Sequence, residues 1–277
     1  MSSIEAPSGK NETTENFPVA QLVSKKYRPH VTAYYILARA ADDISDDPLL
    51  PPEEKVRRLD QIDAALMNDA DDSVACAVPL RQSLKETGVT SQHARDLLIA
   101  FKRDTSQLRY ADWADLMDYC RFSAAPVGRY LLDLHGEAKT AWPANDALCS
   151  VLQIINHIQD CGDDYRELDR VYIPLDLMNK YGATPEDLSA EALTPALRKV
   201  LDDMLDHMES LLALACTFPA QIKDRRLKID TAVICEVAKA LMNILRTRDP
   251  LCENVKLSKQ QKIRLLVLGT IKAYLPL

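Results

Sequence analysis

From Phe17 to the C-terminus, apolar residues recur at three- and four-residue spacing, and no alternating stretch runs beyond a few residues. That spacing gathers apolar side chains on one face of a helix, whereas a half-buried strand needs strict alternation. Glycine is scarce at 7, phenylalanine numbers only 4, and alanine and leucine dominate a 47% apolar fraction, so helix is favoured over sheet. The pattern predicts helices over residues 19–46, 53–69, 73–87, 91–109, 112–136, 145–166, 194–216, 228–248 and 259–274. Proline or glycine marks the connections at Pro48 to Pro52, Gly88, Trp142-Pro143, Pro174, Gly182 to Pro185, Pro219 and Pro250. Thr90-Ser91 and Thr184-Pro185-Glu186-Asp187 carry helix-start signals. No internal repeat of solenoid length is visible. The expectation is a single all-α domain over residues 16–277 behind a polar, disordered tail at 1–15.

The net charge of −7 argues against nucleic acid as a partner. It does not exclude an anionic substrate, because bound metal ions invert the local field. The 7 cysteines are scattered, odd in number and without a CxxC pair, which reads as reduced thiols in the cytoplasm. No charged start followed by an apolar run marks a signal peptide. The late apolar run Leu265 to Ile271 is too short to span a bilayer. The tail IRLLVLGTIKAYLPL mixes basic and apolar residues; a core-packed last helix is the favoured reading, with peripheral membrane contact as the alternative.

Two acidic clusters carry the chemistry. The first lies in YYILARAADDISDDPLLPP, where Asp42, Asp43, Asp46 and Asp47 crowd the last turn of a helix that Pro48 must end. Carboxylates are disfavoured at a helix C-terminus, and like charges at four spacing repel by a few tenths of a kcal/mol. A cation would relieve the arrangement; a solvated helix end is the bland alternative. A calcium loop counted from Asp43, with Ser45, Asp47 and Glu54 in ligand positions, fails because Pro48 stands where the sharp turn needs glycine.

The second lies in QIINHIQDCGDDYRELDRVYIP. Asn156, Asp160 and Asp164 are spaced four and four, so they stack on one helix face, with Gln153 a turn earlier and Asp163, Arg166 and Arg170 nearby. Gly162 interrupts the helix at a cost of about 1 kcal/mol, which close approach by a ligand or another backbone would explain. His157 points away from Asn156 and reads as a packing residue beside the site. Two oxygen-rich faces with few nitrogen or sulfur donors suit Mg²⁺ or Mn²⁺ better than zinc, and no Glu-x-x-His pair supports a di-iron bundle. Mg²⁺ combines one or two carboxylates with substrate phosphate oxygens. The residues therefore suggest a phosphate- or diphosphate-bearing substrate clamped through metal between two helices. A P-loop ATPase is excluded by the missing GxxxxGK[ST].

These paired motifs resemble the squalene and phytoene synthase family of isoprenoid diphosphate synthases. Asp42 and Asp46 match its DxxxD motif, with Asp43 beside them, and Asn156, Asp160 and Asp164 match its NxxxDxxxD motif. YYILARAADD maps the family's tyrosine and arginine onto Tyr35 and Arg39; YCRFSAAPVGRYLL maps its cavity-facing tyrosine onto Tyr119; RVYIP also matches. The resemblance covers about residues 16 to 275. NFPVA, SAAPVGR and QDCGDDYR are similar to its bacterial hydroxysqualene-forming branch in hopanoid biosynthesis. The late segment LCENVKLS lacks the basic patch often found there in the family.

The resemblance implies an isoprenoid synthase helical bundle around a central cavity, with presqualene diphosphate as substrate. It implies Mg²⁺ (Mn²⁺ as substitute) on Asp42, Asp43, Asp46, Asn156, Asp160 and Asp164, and no NADPH. Asn16, Phe17, Tyr35, Arg39, Gln153, Asn156 and Arg170 are implied substrate contacts, and Tyr119 would steady a carbocation with its ring face or hold water. Pro126 should kink its helix. Handover of products to neighbouring pathway enzymes is also implied. Condensation of two farnesyl diphosphates to presqualene diphosphate or squalene, or a non-catalytic assembly role, are the alternatives.

Overall fold

The computed structural model describes residues 23–275. The predicted tail at 1–15, and Asn16 and Phe17, lie outside the described residues. The chain is all-α. Its helices are α1 (Arg28–Asp46), α2 (Pro52–Met67), α3 (Ala77–Thr87), α4 (Gln92–Arg103), α5 (Trp113–Ser123), α6 (Ala125–Leu134), α7 (Trp142–Gln159), α8 (Cys161–Leu168), α9 (Leu175–Tyr181), α10 (Pro195–Ala215), α11 (Phe218–Gln221), α12 (Arg225–Leu245) and α13 (Lys259–Tyr274). Among the described residues, β pairing is limited to one isolated parallel bridge, Arg109 with Val171.

Contacts group the chain into two compact units. One holds residues up to Gln107 together with Pro126–Ala138; the other holds Leu108–Ala125 and Lys139 onward. In the first, α1 packs on α3 and α4, and α2 on the same pair. Tyr34, Leu37, Ala41 and Ile44 recur at three and four spacing along α1 and are buried. Complete burial of a side chain such as Leu37 or Ile44 is worth about 1.5–3 kcal/mol. Tyr130 of α6 stacks on Tyr34 at 4.3 Å and donates a 3.0 Å hydrogen bond to the His30 carbonyl, which fixes α6 to α1.

In the second unit, α7 packs on α5, α10 and α12, and α12 carries α13. Ala144, Ala147, Leu148, Val151, Ile154, Ile155 and Ile158 form the buried stripe of α7. Thr194 caps α10 by accepting from the Leu197 amide at 3.1 Å, and Ser258 with Gln261 forms a capping box on α13.

Several boundaries differ from expectation for identifiable reasons. Of the helix predicted at 19–46, residues 19–22 lie outside the described residues; 23–27 are not helical and α1 begins at Arg28, because Pro29 has no N–H to give and fits only the first turn. The predicted helix at 112–136 is two, broken at Ala124, so Pro126 sits in the first turn of α6, where a missing N–H is tolerated, instead of kinking one continuous helix. The predicted helix at 145–166 is also two, meeting at Asp160. The Thr184 start signal is real but opens only a capped 3₁₀ turn at Pro185–Ser189. The last helix is less embedded than expected. It buries Gly269 and Ala273 against α12, while Ile263, Leu266, Val267, Ile271 and Tyr274 are exposed. No described helix is long and apolar enough to cross a membrane.

Candidate active site

The first acidic cluster closes α1. The buried stripe that anchors this helix leaves Asp42 and Asp46 half-buried on its flank and takes Asp43 inside. The cation that the crowding demands comes partly from the helix itself. Arg39 Nε donates to Asp43 Oδ1 at 2.8 Å, its Nη2 pairs with the same oxygen, and Nη2 reaches Asp42 Oδ2 at 2.6 Å. Lys55 of α2 donates to the Ser45 carbonyl at 2.8 Å, placing positive charge on the helix C-terminus. Ser45 Oγ lies 3.1 Å from Asp46 Oδ1. Asp47 accepts from the Leu49 amide at 2.8 Å, so it shapes the turn into the proline loop. Tyr35 is half-buried one turn before Arg39.

Arg39 does not balance three carboxylates. Asp42 is pushed up to about 7, chiefly by burial and then by the Asp46 charge, with Arg39 opposing, although a third of its side chain still reaches solvent. Asp104 and Asp43 add to the push. Asp104 is buried at the end of α4 and belongs to this acidic neighbourhood. Sequence reasoning missed it, because a lone aspartate in FKRDT carries no spacing signal.

The second cluster straddles the junction of α7 and α8. Although Asp160 leaves helical geometry, its amide bonds the Asn156 carbonyl at 2.9 Å and the Asp164 amide bonds the Asp160 carbonyl at 2.8 Å. The four-residue ladder therefore survives the break. Asn156 Oδ1 is buried and has no hydrogen-bond donor. His157 is buried, stacks on Tyr172 at 3.6 Å, sits 2.9 Å from Gln153 Nε2 and 3.8 Å from Asp164 Oδ2. It thus links Gln153, Asp164 and the RVYIP segment. Tyr119 is buried in the same aromatic group, 5.5 Å from Tyr172, 5.2 Å from Tyr110 and 6.0 Å from His157.

Desolvation by its surroundings first, then Asp164, raises the Asp160 pKa, although the residue still reaches solvent, while His157 and Lys256 pull it down. Lys256 is the cation that LCENVKLS brings to this motif, and Gln159 Nε2 bonds the neighbouring Val255 carbonyl to hold the segment there. Its signal was a single lysine in a segment read as lacking a basic patch. Arg170 is buried, and its amide bonds the Asp164 carbonyl at 3.0 Å across the left-handed cap residue Asp169. Gly162 has a different reason from the one expected. An added Cβ would lie 2.8 Å from Leu251 Cδ2 and 3.0 Å from Arg166 Nη1, so side chains, not ligand or backbone, fill that space.

Among the described residues, no three His, Cys, Asp or Glu side chains converge closely enough to hold a metal ion by themselves. The donors nevertheless fit a hard cation. They are all oxygens, and the orphaned Asn156 Oδ1 lacks the positive partner such an ion supplies.

The squalene/phytoene synthase model matches residues 10–264. The chain belongs to the squalene/phytoene synthase family. Curated members include a hydroxysqualene synthase of Rhodopseudomonas palustris, 45% identical over 92% of this chain and 88% of that protein. A hydroxysqualene synthase of Zymomonas mobilis is 44% identical over 93% of this chain and 88% of that protein. The crystal structure of a squalene synthase from Alicyclobacillus acidocaldarius superposes with a TM-score of 0.74 at 27% identity, covering 82% of this chain and 86% of that one. Both acidic motifs lie within the matched residues.

Proposed function

We propose that this protein is a hydroxysqualene synthase that converts presqualene diphosphate and water to hydroxysqualene and diphosphate. The observation that carries this reading is 44–45% identity to curated hydroxysqualene synthases over more than nine-tenths of the chain. The C–O bond to diphosphate breaks with its electron pair on the leaving group. The cyclopropylcarbinyl cation rearranges, water adds, and a proton is lost, so no reductant enters the balance.

Within this proposal the cofactor is Mg²⁺, with Mn²⁺ as a substitute and no NADPH. Asp42 and Asp46 are its donors in the first unit, and Asn156, Asp160 and Asp164 in the second. When bound, the metal neutralises the leaving diphosphate as a Lewis acid. Asp43 and Arg39 hold the first motif in shape, and Arg39 and Arg170 are the proposed diphosphate contacts, with Tyr35, Gln153, Asn16 and Phe17 completing the substrate set. Tyr119 presents a ring to the developing cation. The cytoplasm is the proposed compartment, since all seven cysteines are free thiols. The exposed apolar residues of α13, interspersed with Lys262, Arg264 and Lys272, support peripheral membrane contact, where so apolar a product would be released or handed on.

The test supplies purified protein and Mg²⁺ with presqualene diphosphate or farnesyl diphosphate, with and without NADPH, and extracts the products. Hydroxysqualene from presqualene diphosphate without NADPH is expected. Condensation of farnesyl diphosphate would transfer the reading to a synthase of presqualene diphosphate or squalene. Inertness toward both would leave a non-catalytic member of the family.

A further inference from the structure

Cys216 caps the C-terminus of α10, and Cys235 faces it from α12. Both line the same cleft, and Cys235 Sγ donates to the Ala215 carbonyl, the residue before Cys216, at 3.5 Å. Lys239, one turn beyond Cys235, lines both of the clefts that Cys216 lines. Its ammonium lies 2.8 Å from Glu236 Oε1, which also takes Lys272 at 3.1 Å. Cys216 is half-buried and lines two clefts, of about 410 Å³ and 360 Å³; Cys235, buried, lines the second. A small oxidant can therefore reach one sulfur while the other waits behind it.

We propose that Cys216 and Cys235 form a peroxide-sensitive dithiol in which Cys216 attacks and Cys235 resolves. The neighbouring Cys235, with help from the Lys239 charge, holds the Cys216 thiol well below the ordinary range against the effect of burial. Cys216 beside it, and then burial, push the Cys235 thiol up. This is the asymmetry such a pair needs, because the thiolate is the nucleophile. The Cys216 thiolate attacks one oxygen of hydrogen peroxide, the O–O bond breaks, and the other oxygen departs as hydroxide and becomes water. The Cys235 sulfur then attacks the sulfenic sulfur, the S–O bond breaks, and the departing hydroxide takes the Cys235 proton. Two thiols and one peroxide become one disulfide and two waters.

The chain contains its own control. Cys252 is exposed, but local desolvation and a hydrogen bond with Asp249 push its pKa up. Burial pushes Cys120 and Cys161 up to about 12. If access governed reactivity, Cys252 would react first; if ionisation governs it, Cys216 does.

The experiment treats reduced full-length protein at pH 7 with limiting iodoacetamide and maps the adducts by peptide mass spectrometry. Cys216 should be alkylated about tenfold faster than Cys252. Lys239→Met should slow Cys216 several-fold, while Lys239→Arg retains its rate. Hydrogen peroxide followed by N-ethylmaleimide should give a Cys216–Cys235 cross-linked peptide that dithiothreitol removes, and Cys235→Ser should instead yield a dimedone adduct on Cys216. Preferential alkylation of Cys252, or oxidation of other cysteines without the cross-link in wild-type protein, overturns the proposal.

Discussion

Replacing Asn156 with leucine separates the cost of the second motif from its use. The buried Oδ1 has no donor, a state that costs about 1–3 kcal/mol in a folded protein. Leucine fills a similar volume without a polar atom. Allowing for lost polar contacts of the half-buried amide, the metal-free variant should gain about 1 kcal/mol, or about 2–4 °C in melting temperature. The loaded state should show the reverse. A ligand at about 100 times its Kd stabilises a protein by about 2.7 kcal/mol, here about 5–10 °C. Losing one oxygen ligand should remove more than half of that shift. The assay follows circular dichroism at 222 nm on heating, in EDTA and then in Mg²⁺ with inorganic diphosphate. Asn156→Asp is the opposite control: a third carboxylate beside Asp160 and Asp164 should lower the metal-free melting temperature and enlarge the metal-dependent shift. If the leucine variant melts lower than wild type in EDTA yet keeps the full shift, the side chain is a structural partner and the metal assignment fails. Wild-type protein that shows no shift at all refutes it equally.

Asp42→Ala and Asp160→Ala should each lower turnover of presqualene diphosphate at least about 100-fold while leaving the helical spectrum intact; near-normal turnover in either sinks its role. With Asp42 pushed up to about 7, its proton must leave before the carboxylate can bind a cation, so turnover should climb as pH rises from 6 to 8. In metal-free protein the sign is opposite. The folded-state pKa lies above the unfolded value, so ionisation costs the folded state, and the stability present below about pH 4 is lost as pH rises toward 7. Wild-type melting temperature should fall over that window more than that of Asp42→Asn; equal pH profiles would refute the shift. Gly269→Ala should destabilise, because its Cβ would lie 2.5 Å from Val233 Cα on α12, backbone that cannot turn aside. The overpacking cost of about 1–3 kcal/mol should outweigh a helix-propensity gain of about 1 kcal/mol, and an unchanged or higher melting temperature would place α13 elsewhere. Flotation with anionic vesicles should carry wild-type protein, and Ile263→Glu with Val267→Glu should abolish it; equal flotation of both would remove α13 from membrane contact.

What could be read from the sequence is what periodicity and spacing encode. The stripe of Tyr34, Leu37, Ala41 and Ile44 announces α1, and the four-and-four ladder announces one face carrying Asn156, Asp160 and Asp164. Ends were legible where backbone chemistry forces them, as at Pro48, and missed where it was not weighed, as at Pro29. The break at Asp160 was hidden because its ladder hydrogen bonds continue through it. Short α9 and α11 carry too few turns for a period to show. The charge effects of Asp104 on Asp42 and of Lys256 on Asp160, and the close approach of Leu251 to Gly162, join residues far apart in sequence, so only the fold reveals them.

The internal cations change what the acidic crowding means. Four aspartates at a helix end could have been neutralised by neighbours or simply solvated. Arg39 and Lys55 show that the fold does supply positive charge to the first motif, and Lys256 supplies it to the second. Each motif still holds more carboxylates than cations, and Asp42 and Asp160 remain raised, chiefly by desolvation and then by the neighbouring Asp46 and Asp164. The two motifs lie in different units, on helices with different neighbours, yet share this residual deficit. A surface cluster without a function would lose carboxylates or gain lysines at little cost, because exposed pairs contribute about 0–1 kcal/mol. Here the deficit persists beside Asn156 Oδ1, an acceptor with no donor. On the proposed reading, this partial neutralisation holds each motif's shape and leaves room for an external divalent cation, and full neutralisation by the chain would close the site.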